Sequence, residues 1–185
     1  MTIESKQFEP ANIWAPWRME YLQNIEELQK GCFICNYVDN PQNDAENLVI
    51  ARGKNIIALL NRFPYTGGHC LIAPYKHQAT MQEIEPETLN EMMQLCSDLE
   101  AVLHDAFNPN GFNVGINVGQ AAGAGLPDHL HMHIVPRWSG DTNFMPVFGK
   151  VTVVMEFLIK TRERILSSAK KLGKTNFLSL ETPSE

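Results

Sequence analysis

The stretch His129-Leu130-His131-Met132-His133-Ile134-Val135 constrains this chain more than any other. Polar and apolar residues alternate along it, which is the period of a strand with one face buried. Leu130, Met132 and Ile134 are expected to enter the core, placing all three histidines on the opposite face. Neighbouring imidazoles would then start about 6.6 Å apart along the strand. Three of the chain's six histidines fall within these five residues. Three readings follow. The histidines decorate an exposed sheet face, or His-x-His donates ligands to a metal, or one neutral imidazole attacks an electrophile while its neighbours orient it.

The loop just upstream favours the third reading. Gly119-Gln120-Ala121-Ala122-Gly123-Ala124-Gly125 has three glycines and no bulky side chain. Backbone N–H groups of such a loop can approach an anion closely. A phosphate held against a co-facial histidine nucleophile would need that arrangement.

The rest of the chain supplies a scaffold. Strands are expected over 48–52, 55–61, 69–73, 112–118 and 130–135, the first two joined at Gly53-Lys54. A long helix starts at Pro86, with Leu89, Met92, Met93, Cys96, Leu99, Leu103 and Phe107 forming one apolar stripe. Asn108-Pro109-Asn110-Gly111 ends it. A short helix is expected over about 19–30, stopped by Gly31, with Cys32-Phe-Ile-Cys35 in a tight turn after it. A last helix covers about 151–172, with Met155, Leu158, Ile159, Leu166 and Ala169 on one face. The fold class is α+β, with a mainly antiparallel sheet, a long helix and a C-terminal helix. Residues 1–173 read as a single domain that begins with an irregular arm over 1–18, and 174–185 as a tail.

Charge and hydropathy narrow the partners. A net charge of −6 argues against a broad nucleic-acid-binding face. No stretch approaches the roughly 18 to 20 apolar residues of a membrane span. The first residues lack the basic start and apolar run of a signal peptide, so a cytoplasmic location is expected. In that reducing setting Cys70 and Cys96, each within an apolar pattern, read as small core residues. His104 reads as a surface residue, and Trp14, Trp17 and Trp138 as packing anchors. Arg18 and Arg137 read equally as phosphate contacts or as partners of structural carboxylates.

His-x-His-x-His followed by two apolar residues resembles the signature of the histidine-triad (HIT) family. Gly68-His69-Cys70-Leu71-Ile72-Ala73-Pro74 with His77 resembles that family's other recurring segment. Phe112 through Gly119, Pro136-Arg137-Trp138, residues 140–144, residues 14–19 and the Cys-x-x-Cys extend the likeness to about residue 172. They point to the bacterial branch that acts on diadenosine tetraphosphate. The resemblance implies a HIT-like fold and a nucleotide substrate, adenine nucleotides in particular. It implies cleavage of dinucleoside polyphosphates through a nucleotidyl-histidine intermediate, by phosphorolysis or hydrolysis. His131 would be the nucleophile, His133 would contact phosphate oxygens, and His69 would support them. Asn61 would contact the ribose and Asn117 the edge of the phosphate site. The loop carrying Gly119, Gln120, Gly123, Ala124 and Gly125 would wrap the phosphates. A structural zinc would be held by Cys32, Cys35, His77 and His129, and the protein would be a homodimer.

One departure stands out. Where many members have Gln or Ser and then a hydroxyl residue, this chain has Gly125 and Leu126, so the side-chain phosphate donor is either missing or replaced by a backbone N–H or Gln120. That leaves open the leaving group and the choice of water or phosphate. A nucleoside phosphoramidase would use the same His131. A zinc-stabilised nucleotide-binding module would turn over little, and a mononuclear zinc hydrolase would use all three histidines as ligands.

Overall fold

The computed structural model describes residues 31–141 and 157–174. Apart from Gly31 these belong to one unit, Cys32–Glu185. The expected helix over 19–30, the arm over 1–18 with Trp14, Trp17 and Arg18, and the tail from 175 lie outside the described residues.

Five strands form one antiparallel sheet: β1 (Val49–Arg52), β2 (Ile56–Leu60), β3 (Cys70–Pro74), β4 (Gly111–Ile116) and β5 (Met132–Arg137), in the order β1-β2-β3-β5-β4. The helices are α1 (Phe33–Asp39), α2 (Pro86–Phe107) and α3 (Leu158–Lys171). Every residue of β2 and β3 is buried, as in strands covered on both faces. A bulge between Val49 and Ala51 lets Val49 face one side while Ile50 and Ala51 face the other.

On one face, Ile56, Ala58, Leu60, Cys70, Ile72, Met132 and Ile134 pack against α2 and α3. Helix α2 begins with Pro86 in its first turn and ends at Asn108 in the left-handed conformation (φ 48°), whose N–H returns to His104 O. Its buried stripe is Met92, Leu95, Cys96, Leu99, Val102, Leu103 and Ala106, and each fully buried Leu is worth roughly 1.5–3 kcal/mol. Met93, expected on that stripe, is exposed, because the buried positions centre on Leu99 and Met93 lies about a third of a turn to one side. On α3 the buried positions are Thr161, Arg162, Ile165, Ser168 and Ala169. Ile159, expected inward, is exposed, while Ile165 takes the core. Met155 lies outside the described residues.

On the other face, the described residues that cover the sheet come from α1. Ile34 and Tyr37 of α1 lie over Val49, Ile57, Leu59, Leu71 and Ala73. The Cys-x-x-Cys is thus a helix start rather than a free turn: Cys32 is the N-cap, and its Sγ accepts the Cys35 N–H at 3.5 Å. Seven residues are too few to hold a helix in isolation, so α1 rests on its apolar contacts. Beyond Leu71 the same face is given over to His69 and His133, where the apolar layer stops.

Candidate active site

Strand β5 begins at Met132, two residues later than expected from the alternation, and continues through Pro136 and Arg137. His129 and His131 therefore precede the strand, and only His133 stands on it. The alternation still sorts the side chains as expected, with Leu130, Met132 and Ile134 in the core. His129 and His131 are buried and His133 is half-buried, so these histidines do not decorate a solvated face.

Backbone carbonyls fix the tautomers. His131 Nδ1 lies 2.9 Å from His129 O. A carbonyl only accepts, so Nδ1 carries the proton and Nε2 keeps its lone pair. Around His69, Tyr65 N–H donates to Nδ1 at 3.1 Å and the Asn61 amide nitrogen lies 3.4 Å away. The proton of neutral His69 is then on Nε2, 3.0 Å from His133 Nδ1. His133 in turn must carry its proton on Nε2. One imidazole offers a nucleophilic nitrogen, and its neighbour, with ring centroids 4.9 Å apart, offers a donor.

The loop that delivers His69 is tied down. Phe63 N–H donates to Asn61 Oδ1 at 2.9 Å, and Thr66 Oγ1 donates to Pro136 O at 2.7 Å. Gly68 has φ +77°, and a Cβ there would meet Phe107 and Pro136 at 3.3 Å, so glycine suits the turn that aims His69. Beside His133, the partner residue on β4 is Gly115, where an added Cβ would meet nothing within 4 Å. That leaves open room on the histidine face. Asn117 follows directly on the last β4–β5 pair, Ile116↔Met132, as His131 directly precedes it. Residues 119–125 form a 3₁₀ turn, Gln120–Ala122, with Gly119 and Gly123 at positive φ, and all but Ala124 are exposed. Leu126 packs on the apolar cluster under α1, which gives the departure at this position a structural reason.

Burial keeps His69 and His133 neutral. His69 is pushed down to about 3, by burial first and then by His133 and His131. His133 is pushed down to about 4 by burial and by His131. Both are ordinarily at 6.5, so as pH falls below that value the unfolded chain binds protons that the folded chain refuses. Stability is present in full above pH 6.5 and is lost as pH falls toward the folded values. Urea midpoints should therefore decline from pH 6.5 to 4, and His69→Gln should flatten that slope. Parallel slopes for the two proteins would contradict it.

A second cluster adjoins the first. Cys32 Sγ, Cys35 Sγ and ligand nitrogens of His77 and His129 all lie within 4.8 Å of one another. His129 Nδ1 is 3.1 Å from Cys32 Sγ and 3.5 Å from Cys35 Sγ, and His77 Nδ1 is 3.3 Å from Cys35 Sγ. His129 Nε2 lies 2.9 Å from Pro74 O, so it carries the proton and leaves Nδ1 free to bind a metal. Two thiols and two imidazoles gathered this tightly suit a tetrahedral zinc ion. Without a metal, burial and neighbouring Cys32 push the Cys35 thiol up to about 11. His129 joins the two clusters, with its ring in one and its carbonyl on the His131 imidazole of the other.

Other sequence candidates resolve differently. Arg137 pairs with Asp141 at 2.6 Å and donates to Asn113 Oδ1, so it is engaged with structural partners. His104 is exposed, and Cys70 and Cys96 are buried. Tyr65, whose ring lies 4.6 Å from that of His69, carries no mark of this place in its residue type or spacing.

The family profile described as "HIT domain" matches residues 42–140. An AP-4-A phosphorylase of Mycobacterium tuberculosis is 36% identical over 161 residues, covering 84% of this chain and 82% of that protein. An asymmetrical bis(5'-nucleosyl)-tetraphosphatase of Schizosaccharomyces pombe is 30% identical over 93 residues, half of each chain. Among solved structures, a hypothetical histidine triad nucleotide-binding protein from Sulfolobus tokodaii matches with TM-score 0.63 and 25% identity, covering 78% of this chain and 95% of the other. A Zn-bound histidine triad family protein from Mycobacterium smegmatis shares the fold with TM-score 0.63 at 23% identity, covering 78% and 97%.

Proposed function

Because the chain belongs to the histidine-triad (HIT) family, we propose that it cleaves dinucleoside polyphosphates through a nucleotidyl intermediate on His131. The observation that carries this reading is the 2.9 Å contact from His131 Nδ1 to His129 O, which leaves Nε2 as the nucleophilic atom. In the first step the Nε2 lone pair forms a bond to the α-phosphorus. The phosphoanhydride bond to the leaving nucleotide breaks, and the electron pair leaves with that nucleotide's phosphate. The His133 Nε2–H and backbone N–H groups of the loop carrying Gly119, Gln120, Gly123, Ala124 and Gly125 stabilise charge on the equatorial oxygens. Asn61 and Asn117 hold the ribose and the edge of the phosphate site, and His69 keeps His133 in its donor tautomer. In the second step inorganic phosphate attacks the adduct, breaking the P–N bond and releasing a nucleoside diphosphate. The likeness to an AP-4-A phosphorylase supports phosphate over water as the acceptor and adenine nucleotides as substrates.

The reading includes a structural zinc on Cys32, Cys35, His77 and His129. When bound, the ion would cross-link α1, the segment after β3 and the residues leading into β5. It also includes a homodimer, for which the edge strand β4 with half-exposed Val114 offers a surface, and a cytoplasmic location. No helix among the described residues is long and apolar enough to cross a membrane.

The test follows diadenosine tetraphosphate and adenosine phosphoramidate separately, with and without inorganic phosphate. The expected result is phosphate-dependent formation of ADP and ATP from the tetraphosphate. Turnover of the phosphoramidate alone, or of neither compound, would overturn the assignment, and phosphate-independent AMP and ATP would make water the acceptor.

A further inference from the structure

Tyr65 makes two contacts with the histidine cluster that the chemistry above does not use. Its ring lies 4.6 Å from the His69 ring, tilted by 31°, and 6.1 Å from the His133 ring, within 16° of parallel. Its backbone N–H is the 3.1 Å donor that decides the His69 tautomer. The residue is 58% exposed, so it contributes little to the core. Its hydroxyl makes no hydrogen bond among the described residues. The rings it lies against are those of the two histidines.

The surroundings of His133 indicate what the ring does. Across the sheet, His133 is paired with Leu71 on one side and with Gly115 on the other. Glycine has no side chain to flank the imidazole, so on the β4 side the sheet leaves His133 unbraced. One hydrogen bond from His69 fixes a tautomer, yet a ring held at a single nitrogen can still swing about that bond. A flat ring set nearly parallel to the imidazole restricts the swing. The loop bearing Tyr65 is itself anchored, by Thr66 to Pro136 O and by Asn61 to Phe63 N–H.

We propose that Tyr65 is a positioning residue that acts through His69 and His133, its amide setting the tautomer and its ring the orientation in which His133 presents Nε2–H to a phosphate oxygen. The proposal rests on the roles given to His131 and His133 above. It assigns the work to the ring rather than the hydroxyl, which separates two variants. Tyr65→Phe keeps the ring and Tyr65→Leu removes it, and neither disturbs the buried layers.

The test compares wild type, Tyr65→Phe and Tyr65→Leu by nitrogen-15 spectra of histidine-labelled protein and by steady-state kinetics on diadenosine tetraphosphate. Tyr65→Phe should match wild type in both. Tyr65→Leu should lose about tenfold in kcat with KM nearly unchanged, as expected when a donor is misplaced rather than removed. In its spectrum the tautomer set by the retained residue-65 amide should persist, while the His133 Nε2–H signal should broaden as the unbraced ring swings. Two results would overturn the proposal: Tyr65→Leu behaving as wild type in kcat and spectrum, or Tyr65→Phe losing as much as Tyr65→Leu, which would assign a direct contact to the hydroxyl. The spectra need no substrate. If wild type cleaved no dinucleoside polyphosphate, the functional reading would fail while the spectra still decided whether Tyr65 orients His133.

Discussion

Replacing His131 with alanine should abolish turnover while leaving the fold and nucleotide binding in place. The side chain is buried, but its hydrogen bond goes to a backbone carbonyl, which a water in the space left by the imidazole can satisfy. The strand that follows is held by its ladders to β3 and β4. Loss of a covalent nucleophile removes both steps at once, so a fall of at least about 10³-fold in kcat is expected. The comparison is made at saturating diadenosine tetraphosphate with fluorescence-monitored nucleotide binding alongside. A variant that kept a tenth of wild-type kcat would remove His131 from the chemistry.

Loss of the metal should act on stability first. Cys32, Cys35, His77 and His129 come from three separated stretches, so an ion among them ties α1 to the segments after β3 and before β5. A site filled at about 1,000 times its dissociation constant contributes about 4 kcal/mol. For a chain of this size each kcal/mol moves Tm by roughly 2–4 °C, so the double variant Cys32→Ser, Cys35→Ser should melt about 10 °C lower. Bound zinc, measured by elemental analysis, should fall from one per chain to none. Turnover of the variant below its lowered Tm should persist, because His129 Nε2–H to Pro74 O and Leu130 N–H to Gln78 O still hold the His129 carbonyl behind His131. Catalysis lost with the metal while circular dichroism stayed unchanged would instead place the metal in the reaction. Equal melting with and without zinc would show that the cluster does not bind it.

Much of this was legible from residue order. Alternation through Leu130, Met132 and Ile134 named the face of β5, and Pro86 and Asn108-Pro109-Asn110-Gly111 marked the limits of α2. The two residue groups, His69 with His131 and His133, and Cys32 and Cys35 with His77 and His129, were assembled from the family resemblance, and the fold gathers each within contact distance. What local pattern could not supply was set by tertiary contact. Helix α1 is too short to show a period, and it exists because Ile34 and Tyr37 find the β1–β3 apolar face. Met93 and Ile159 keep helical spacing with some apolar neighbours, yet the packed faces centre on Leu99 and Ile165 and leave both to one side. The Pro74 and His129 carbonyls that fix two tautomers belong to the backbone and leave no trace in composition. Tyr65 is invisible for a related reason. Its partners, His69 and His133, are 64 residues apart and meet through the pairing of β3 with β5.

The central claim is a covalent bond between His131 and a nucleotide. Acid quenching destroys a phosphorus–nitrogen bond, so the protein is mixed with diadenosine tetraphosphate in the absence of phosphate, quenched in base, digested and sequenced by mass spectrometry. The account predicts a single nucleotidyl group on the peptide containing His129, His131 and His133, located at His131, and its disappearance when phosphate is added before the quench. Rapid turnover with no adduct on any of these histidines, or an adduct on His133 that survives His131→Ala, would contradict it.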